Sequence, residues 1–293
     1  MTIEKDRMTT FSIDSSVRRV PILCVAILAI SPVLAAATTS AGEVTFDKTR
    51  LASIDARMTD FVADHQISGA VTAVATMSRT VHLSAVGQAD VASSRAMQLD
   101  SIFRIASMTK PITATALMIL HDEGKLSIDD PIEKFIPAFK GQNLKDGSAV
   151  RPVTIRDVLT HTAGLSRPPG SAFHEKALEE IVDGIGRAPL AFEPGSKWQY
   201  SSGLNVAARI IEVLSGESYA DFLDSRLFKP LGMKDTTFVL SKVQAGRLVT
   251  TYSPKEGGGG IVPSDNAFVV LDPTIRRTPN PSEIGRASCR ERV

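Results

Sequence analysis

Two cysteines in 293 residues give this chain no disulfide framework. Cys24 sits inside an N-terminal apolar run and Cys289 inside an aberrant C-terminal tail, so the long stretch between them has none. There is no HExxH pattern and no Cys/His cluster. The five histidines (His65, His82, His121, His161, His174) are scattered, which argues against a metal site. An excess of charge is also missing: the formal net charge is +1, so nothing points to a nucleic acid or a membrane surface as partner. The apolar run from Val20 to Leu34 is too short to span a bilayer comfortably. What remains, with 43% hydrophobic and 22% charged residues, suffices for one large domain or two smaller ones with a proper core.

Both ends of the chain differ from its middle. Arg18-Arg19 precede the apolar run, which ends in Ala35-Ala36-Ala37. A basic region, a short apolar core and an A-x-A site predict a secretory signal peptide over 1–37, and hence export to the periplasm or beyond. Apolar residues still follow Cys24, which argues against a lipoprotein cysteine. At the other end, residues 284–293 read as the translation of a short-read sequencing adapter, with Glu283 completing the split codon. The segment 283–293 is therefore set aside from the fold reading as an expected artefact, and the natural reading frame is expected to continue past Ser282. The leader holds four basic and three acidic residues and the tail three and two, so 38–282 keeps 26 against 27, a net charge of −1.

Leu51, Ile54, Met58, Phe61 and Val62 follow helical spacing, which predicts an amphipathic helix from Asp47 to about His65. Gly69 to Met77 reads as a buried strand. Ser78-Arg79 can turn, and Val81, Leu83 and Ala85 alternate in a return strand. The expected class is α+β: an antiparallel sheet flanked by helices, with an all-helical part inserted. A helix from Ser107 to about Glu123, stopped by Gly124, is apolar nearly all round and so expected to be central. Short helices are expected near Pro131 to Phe135, at Pro152–Thr160, Ala177–Ile185, Leu204–Leu214 and Tyr219–Phe228, with loop over 166–173. The divisions are 38–124 as the α/β part, 125–240 as the helical part, and 241–282 as a Gly/Pro-rich return with a few short strands.

Ser107 and Lys110 lie three residues apart at the entrance of the central helix. At that spacing two side chains share a face, about 5–6 Å apart at Cβ. A serine hydroxyl is a weak nucleophile until a neighbouring base takes its proton, and a lysine does so only when burial or nearby cations keep it neutral. The helix start also offers free amides to developing negative charge. The bare spacing is weak evidence, since a chain of this length holds roughly one such pair by chance.

Four phrases in order change its weight: FRIASMTKPITA, LTHTAGL, EPGSKWQYSSGLNVAARIIEVLSG and RLFKPLGMKDTTF. Together they resemble the serine β-lactamase and penicillin-binding-protein superfamily, nearest to class C β-lactamases, D-alanyl-D-alanine carboxypeptidases and family VIII carboxylesterases. The likeness covers roughly 45–282. It implies a β-lactamase/transpeptidase-like fold whose last strands lie beyond Ser282, and acyl transfer through a serine ester. It makes Ser107 the nucleophile, Lys110 its basic partner, and Tyr200 the tyrosine that shares the proton and passes it to the leaving group. A phenol, with pKa about 10 in water, becomes a usable base only beside cations such as Lys110.

Two departures narrow the substrate. Ser202 stands two residues after Tyr200, where lactamases usually carry an asparagine that binds the substrate's amide, and the phrase around Trp198 looks more like the esterase branch. The family's third motif does not appear before Ser282. Ser202 and Trp198 are candidate substrate-binding residues, Trp198 being also a natural packing residue. Ser264-Asp265-Asn266 spells a lactamase motif but falls too late in the chain and reads as loop. His161 invites a Ser–His triad, yet no G-x-S-x-G elbow surrounds Ser107, so His161 reads as loop-shaping.

The resulting expectation is an exported, monomeric serine hydrolase without metal or cofactor, cleaving short-chain carboxylic esters. β-Lactam hydrolysis and D-Ala peptide trimming are the alternatives within the enzyme class. Outside it stands a non-catalytic homologue that binds cell-wall peptide. Ending before the third motif, the chain as given is expected to be poorly soluble and inactive.

Overall fold

Asp47 caps the first helix: its carboxylate accepts from the amides of Thr49 at 2.8 Å and Arg50 at 3.2 Å, and α1 (Lys48–Ala63) follows. The computed structural model describes residues 45–166, 176–264, 273–274, 279 and 286–288. The expected leader (1–37), most of the 166–173 loop, and Asp265 and Asn266 lie outside the described residues. Two units divide the chain, Met1–Thr45 and Phe46–Val293, and the elements below all belong to the second.

β1 (Gly69–Ala75) and β2 (Thr80–Asp90) form an antiparallel hairpin with Gly69 opposite Gly87, and β3 (Arg95–Ala96) extends it on the β2 side. The turn is made by Thr76, whose hydroxyl accepts from the amides of Ser78 and Arg79 at 3.3 and 3.1 Å. That early turn ends β1 at Ala75 and leaves Met77 fully exposed, two residues short of the expected strand end. β1 is half-buried along nearly its whole length, not the buried strand its composition suggests. Its apolar residues sit in a hairpin at the side of the molecule, whereas the core lies in the helical part.

β4 (Ile102–Arg104) leads through a short 3₁₀ turn, Ala106–Met108, into α2 (Thr109–Asp122), which stops two residues before Gly124 (φ 72°). The buried positions of α2 are Thr109, Lys110, Thr113, Ala116, Leu117 and Leu120. They recur every three or four residues, so one face is buried while Ile112, Met118 and Ile119 stay partly exposed. The reading of α2 as apolar on all sides therefore narrows to a single face, and that face packs on α5 (Gly203–Ser215).

α3 (Ile155–Leu159) and α4 (Leu178–Arg187) pack on α5, and two adjoining 3₁₀ turns (Ile132–Lys134, Pro137–Phe139) meet α4 through the second. Leu204, Val206, Ile210 and Ile211 of α5 are no more than 2% exposed, each contributing roughly 1.5–3 kcal/mol of burial. α6 (Tyr219–Leu223) continues through a π turn, Asp224–Phe228, into α7 (Lys229–Leu231), so this helix runs one turn past its expected end.

The return segment also differs from expectation, because it holds a helix: α8 (Lys242–Arg247), opened by a reciprocal capping box between Ser241 and Gln244. β5 (Tyr252–Pro254) and β6 (Ile261–Pro263) form a hairpin behind it. β7 (Arg286–Ser288) pairs antiparallel with β4. Backbone pairing of this kind is open to any non-proline residue, so it makes no demand on the unusual composition of 283–293. Helices and small antiparallel sheets make this an α+β fold. No helix among the described residues is long and apolar enough to cross a membrane.

Candidate active site

The chain leaves β4 and bends at Ala106, whose φ of 43° lies in the left-handed region that alanine rarely adopts. This bend sets Ser107 on the exposed 3₁₀ turn, while Lys110, a turn further on, enters the buried face of α2 at 7% exposure. The Lys110 ammonium donates to Ser107 Oγ at 3.0 Å. The expected contact between the two is therefore made, in a partly buried setting where a charge-assisted bond is strong.

Tyr200 comes to the same point from a distant part of the chain. The Lys110 nitrogen lies 4.8 Å from the centre of its ring. Burial works against the phenolate, but hydrogen bonds with Lys110 and Ser107 and the nearby ammonium outweigh it, leaving the phenol below its ordinary value. Ser107, Lys110 and Tyr200 thus form one cluster at the mouth of α2.

Two segments running side by side bring Tyr200 there. The amides of Ala191 and Gly195 donate to the carbonyls of Gly164 and Thr162 at 2.8 Å each, and Gln199 N–H donates to His161 O at 2.9 Å. The segments approach so closely that a Cβ on Gly164 would lie 2.2 Å from Phe192 O, and one on Gly203 2.8 Å from Val158 O. α3 anchors the first segment. Thr154 and Asp157 form a capping box, and Asp157, 4% exposed, accepts two bonds from Arg151 at 2.7 and 2.9 Å. Burial pushes the Asp157 carboxyl up, but Arg151 and Thr154 more than reverse it and hold the group below the usual carboxylate range.

His161 is the residue whose place the motif spacing does not foretell. Its φ is 60°, and its ring lies against that of Tyr200 at 4.7 Å between centres and edge-on to Trp198 at 6.2 Å. Burial, then the charge of Lys110, hold its imidazole below the ordinary histidine value. Trp198 is 67% exposed, and Met108, next to Ser107 in the chain, is 69% exposed. Ser202 is half-buried at the N-cap of α5, where its hydroxyl makes no capping bond and its carbonyl accepts from Asn205 N–H at 2.9 Å. The structure therefore brings Ser107, Lys110 and Tyr200 together, sets Trp198 nearby against His161, and leaves Ser202 at the helix start. The THTAG phrase is the sequence signal for His161, readable only once its pairing with 191–203 is known. Among the described residues no group of three His, Cys, Asp or Glu side chains could hold a metal ion.

The chain is similar to known proteins over much of its length. Esterase EstB of Burkholderia gladioli is 36% identical over 203 residues, covering 64% of this chain and 51% of that protein. Penicillin-binding protein 4* of Bacillus subtilis (strain 168) is 36% identical over 181 residues, covering 59% and 38%. The chain thus spans about half or less of the length of these curated relatives. Among solved structures, EstCE1, described as a hydrolase with promiscuous acyltransferase activity, superposes with a TM-score of 0.72 at 23% identity, covering 83% of this chain and 70% of that one, which is a likeness of fold. The sequence profile of the Beta-lactamase family matches residues 54–276. Matched over most of its length, the chain belongs to the Beta-lactamase family.

Proposed function

We propose that this protein is an exported serine hydrolase that works through a serine acyl-enzyme on short-chain carboxylic esters. The observation that carries the reading is the cluster itself: Ser107 Oγ accepts from Lys110 at 3.0 Å, and the Lys110 nitrogen lies 4.8 Å from the centre of the Tyr200 ring, whose phenol is held below its ordinary value. In this reading Tyr200 acts as the phenolate beside the Lys110 ammonium: Ser107 Oγ attacks the ester carbonyl and its proton passes to the Tyr200 oxygen. The tetrahedral intermediate collapses, the C–O bond to the alcohol breaks, and Tyr200 returns the proton to the departing oxygen. Water then attacks the acyl-serine by the same route in reverse, releasing the carboxylic acid. The lowering of the Tyr200 phenol below its ordinary value makes it a readier proton carrier than a free tyrosine.

Ser202, at the position of the lactamase asparagine, and the 36% likeness to an esterase support esters over β-lactams. The equal likeness to a penicillin-binding protein supports a second reading, attack on β-lactams or D-Ala peptides by the same serine. The product of the full gene, assayed with p-nitrophenyl butyrate and nitrocefin, separates the two. Ester turnover that disappears in Ser107→Ala is the expected result. Ester turnover that persists in that variant overturns the mechanism, and nitrocefin turnover much faster than ester turnover overturns the substrate.

A further inference from the structure

The residues around His161 form a mount for the tyrosine. Its carbonyl accepts from Gln199 N–H at 2.9 Å and its Nδ1 accepts from Ser201 N–H at 3.2 Å, so the residues on either side of Tyr200 both hang from one histidine. Its ring completes the mount by packing on the phenol ring. A backbone amide can only donate, so Nδ1 is unprotonated and the ring carries its proton on Nε2. Ser201 Oγ lies 3.4 Å from the same nitrogen and accepts from Gly203 N–H at 3.3 Å, which extends the mount to the start of α5.

We propose that His161, as the neutral Nε2–H tautomer, is a positioning residue that holds Tyr200 against Lys110 and Ser107. The proposal rests on the acyl-transfer reading of those three residues. It assigns His161 no contact with substrate. Protonation at Nδ1 would turn the acceptor into a donor facing Ser201 N–H, break one of the two suspensions of Tyr200, and add a second cation near Lys110. The charged and titratable groups facing the ring are Lys110 on α2 and Tyr200 on the 191–203 segment, with Asp157 four residues back on α3 and paired to Arg151 just before that helix. The Lys110 charge and burial both oppose protonation, so the mount stays intact down to pH values below the ordinary histidine range, about 6.5.

Two substitutions separate the parts of this role. In His161→Phe the ring stays but the acceptor is lost, leaving Ser201 N–H without its partner. In His161→Asn the side-chain oxygen replaces Nδ1 as acceptor, nothing titrates, and the left-handed backbone suits asparagine better than histidine. With the full-length protein and p-nitrophenyl butyrate, His161→Phe is expected to lower kcat about 30- to 100-fold with KM within about threefold, as loss of a placed proton shuttle would. His161→Asn restores kcat to within about fivefold of the parent and shifts or removes the acid limb of the kcat profile. His161→Phe combined with Tyr200→Phe loses no more than Tyr200→Phe alone, because the histidine acts through the tyrosine.

Losses that multiply in the double variant, or an unmoved acid limb in His161→Asn, overturn the proposal. A Ser107→Ala control distinguishes the two levels. If activity survives that control, the acyl-transfer reading fails. If it vanishes there while His161→Phe keeps full kcat, the positioning role alone fails.

Discussion

Replacing Gly164 by alanine tests the side-by-side packing that delivers Tyr200 to the site. Two separate costs are expected. Gly164 has φ 68°, and an L-residue with a Cβ pays roughly 1–2 kcal/mol there. Its Cβ would also lie 2.2 Å from Phe192 O and 3.3 Å from Phe192 C, both backbone atoms that no rotamer change can move. Relieving that contact requires the 191–195 segment to shift, at roughly 1–3 kcal/mol by comparison with overpacked cores. Gly124, where α2 stops, is the control: its φ is 72°, yet a Cβ there meets nothing within 4 Å. Gly124→Ala should therefore cost about 1–2 kcal/mol and Gly164→Ala about 2–5 kcal/mol. At roughly 2–4 °C per kcal/mol for a domain of 150–250 residues, the melting temperature falls by about 2–8 °C in the first and about 4–20 °C in the second. Differential scanning fluorimetry of the full gene product reads both. Gly164→Ala should in addition lower kcat, since the shifted segment carries the chain toward Tyr200, while Gly124→Ala leaves kcat alone. Equal losses of stability would refute the close approach of the two segments.

Three further outcomes follow from the electrostatics and the caps. In a spectrophotometric pH titration Tyr200 should ionise before Tyr219, because Lys110 and Ser107 lower the first phenol while complete burial pushes up the second despite its 2.7 Å bond to Thr113; Tyr200→Phe should remove the earlier of these two transitions and leave the later. Asp157→Asn should destabilise by about 2 kcal/mol near neutral pH, less than the 3–5 kcal/mol of a fully buried pair because Arg151 is 44% exposed. The Asp157 carboxyl is depressed in the folded state, so its contribution is fully present above the unfolded value of about 3.9 and lost as pH falls through the folded value. Urea unfolding should accordingly show the gap between Asp157→Asn and the parent closing below about pH 4, and a gap independent of pH would contradict the assignment. Ser241→Ala should cost about 1 kcal/mol through loss of the α8 cap, read by the same unfolding curves.

The parts of the site legible in the sequence are those set by short spacing. Ser107 and Lys110 meet because three residues make one helical turn, and the helix they open is announced by its apolar run and stopped at Gly124. Tyr200 is different. Nothing in the periodicity joins it to Lys110, and only the family likeness paired them, because the contact depends on two segments lying alongside each other over 157–164 and 191–203. Burial was misjudged for a related reason. The small and β-branched residues of β1 read as a buried strand, but composition does not say which side of the domain a hairpin occupies. The six-residue α8 is masked in the sequence by the Gly/Pro content of its surroundings, although Ser241 and Gln244 stand at the capping-box interval. The π turn that carries Tyr219–Leu223 on to Leu231 has no sequence signature of comparable strength.

The two segments also explain why strain collects where it does. Four non-glycine residues among those described have positive φ, and two of them, Ala106 and His161, flank the cluster from opposite sides. Neither conformation is favoured locally, so each is held by what surrounds it. Ala106 lies between β4, whose Ile102 is fully buried, and the buried face of α2. His161 is held by α3, by the Arg151–Asp157 pair and by the bonds from Gln199 and Ser201. A serine turned outward beside an inward lysine needs the first bend, and a tyrosine reaching both needs the second. The helical core, centred on α2 and α5, therefore stabilises two bends whose only evident use is the geometry of Ser107, Lys110 and Tyr200. Substitutions that loosen α3 against α5 should reduce activity before they unfold the protein, because the bend at His161 relaxes first.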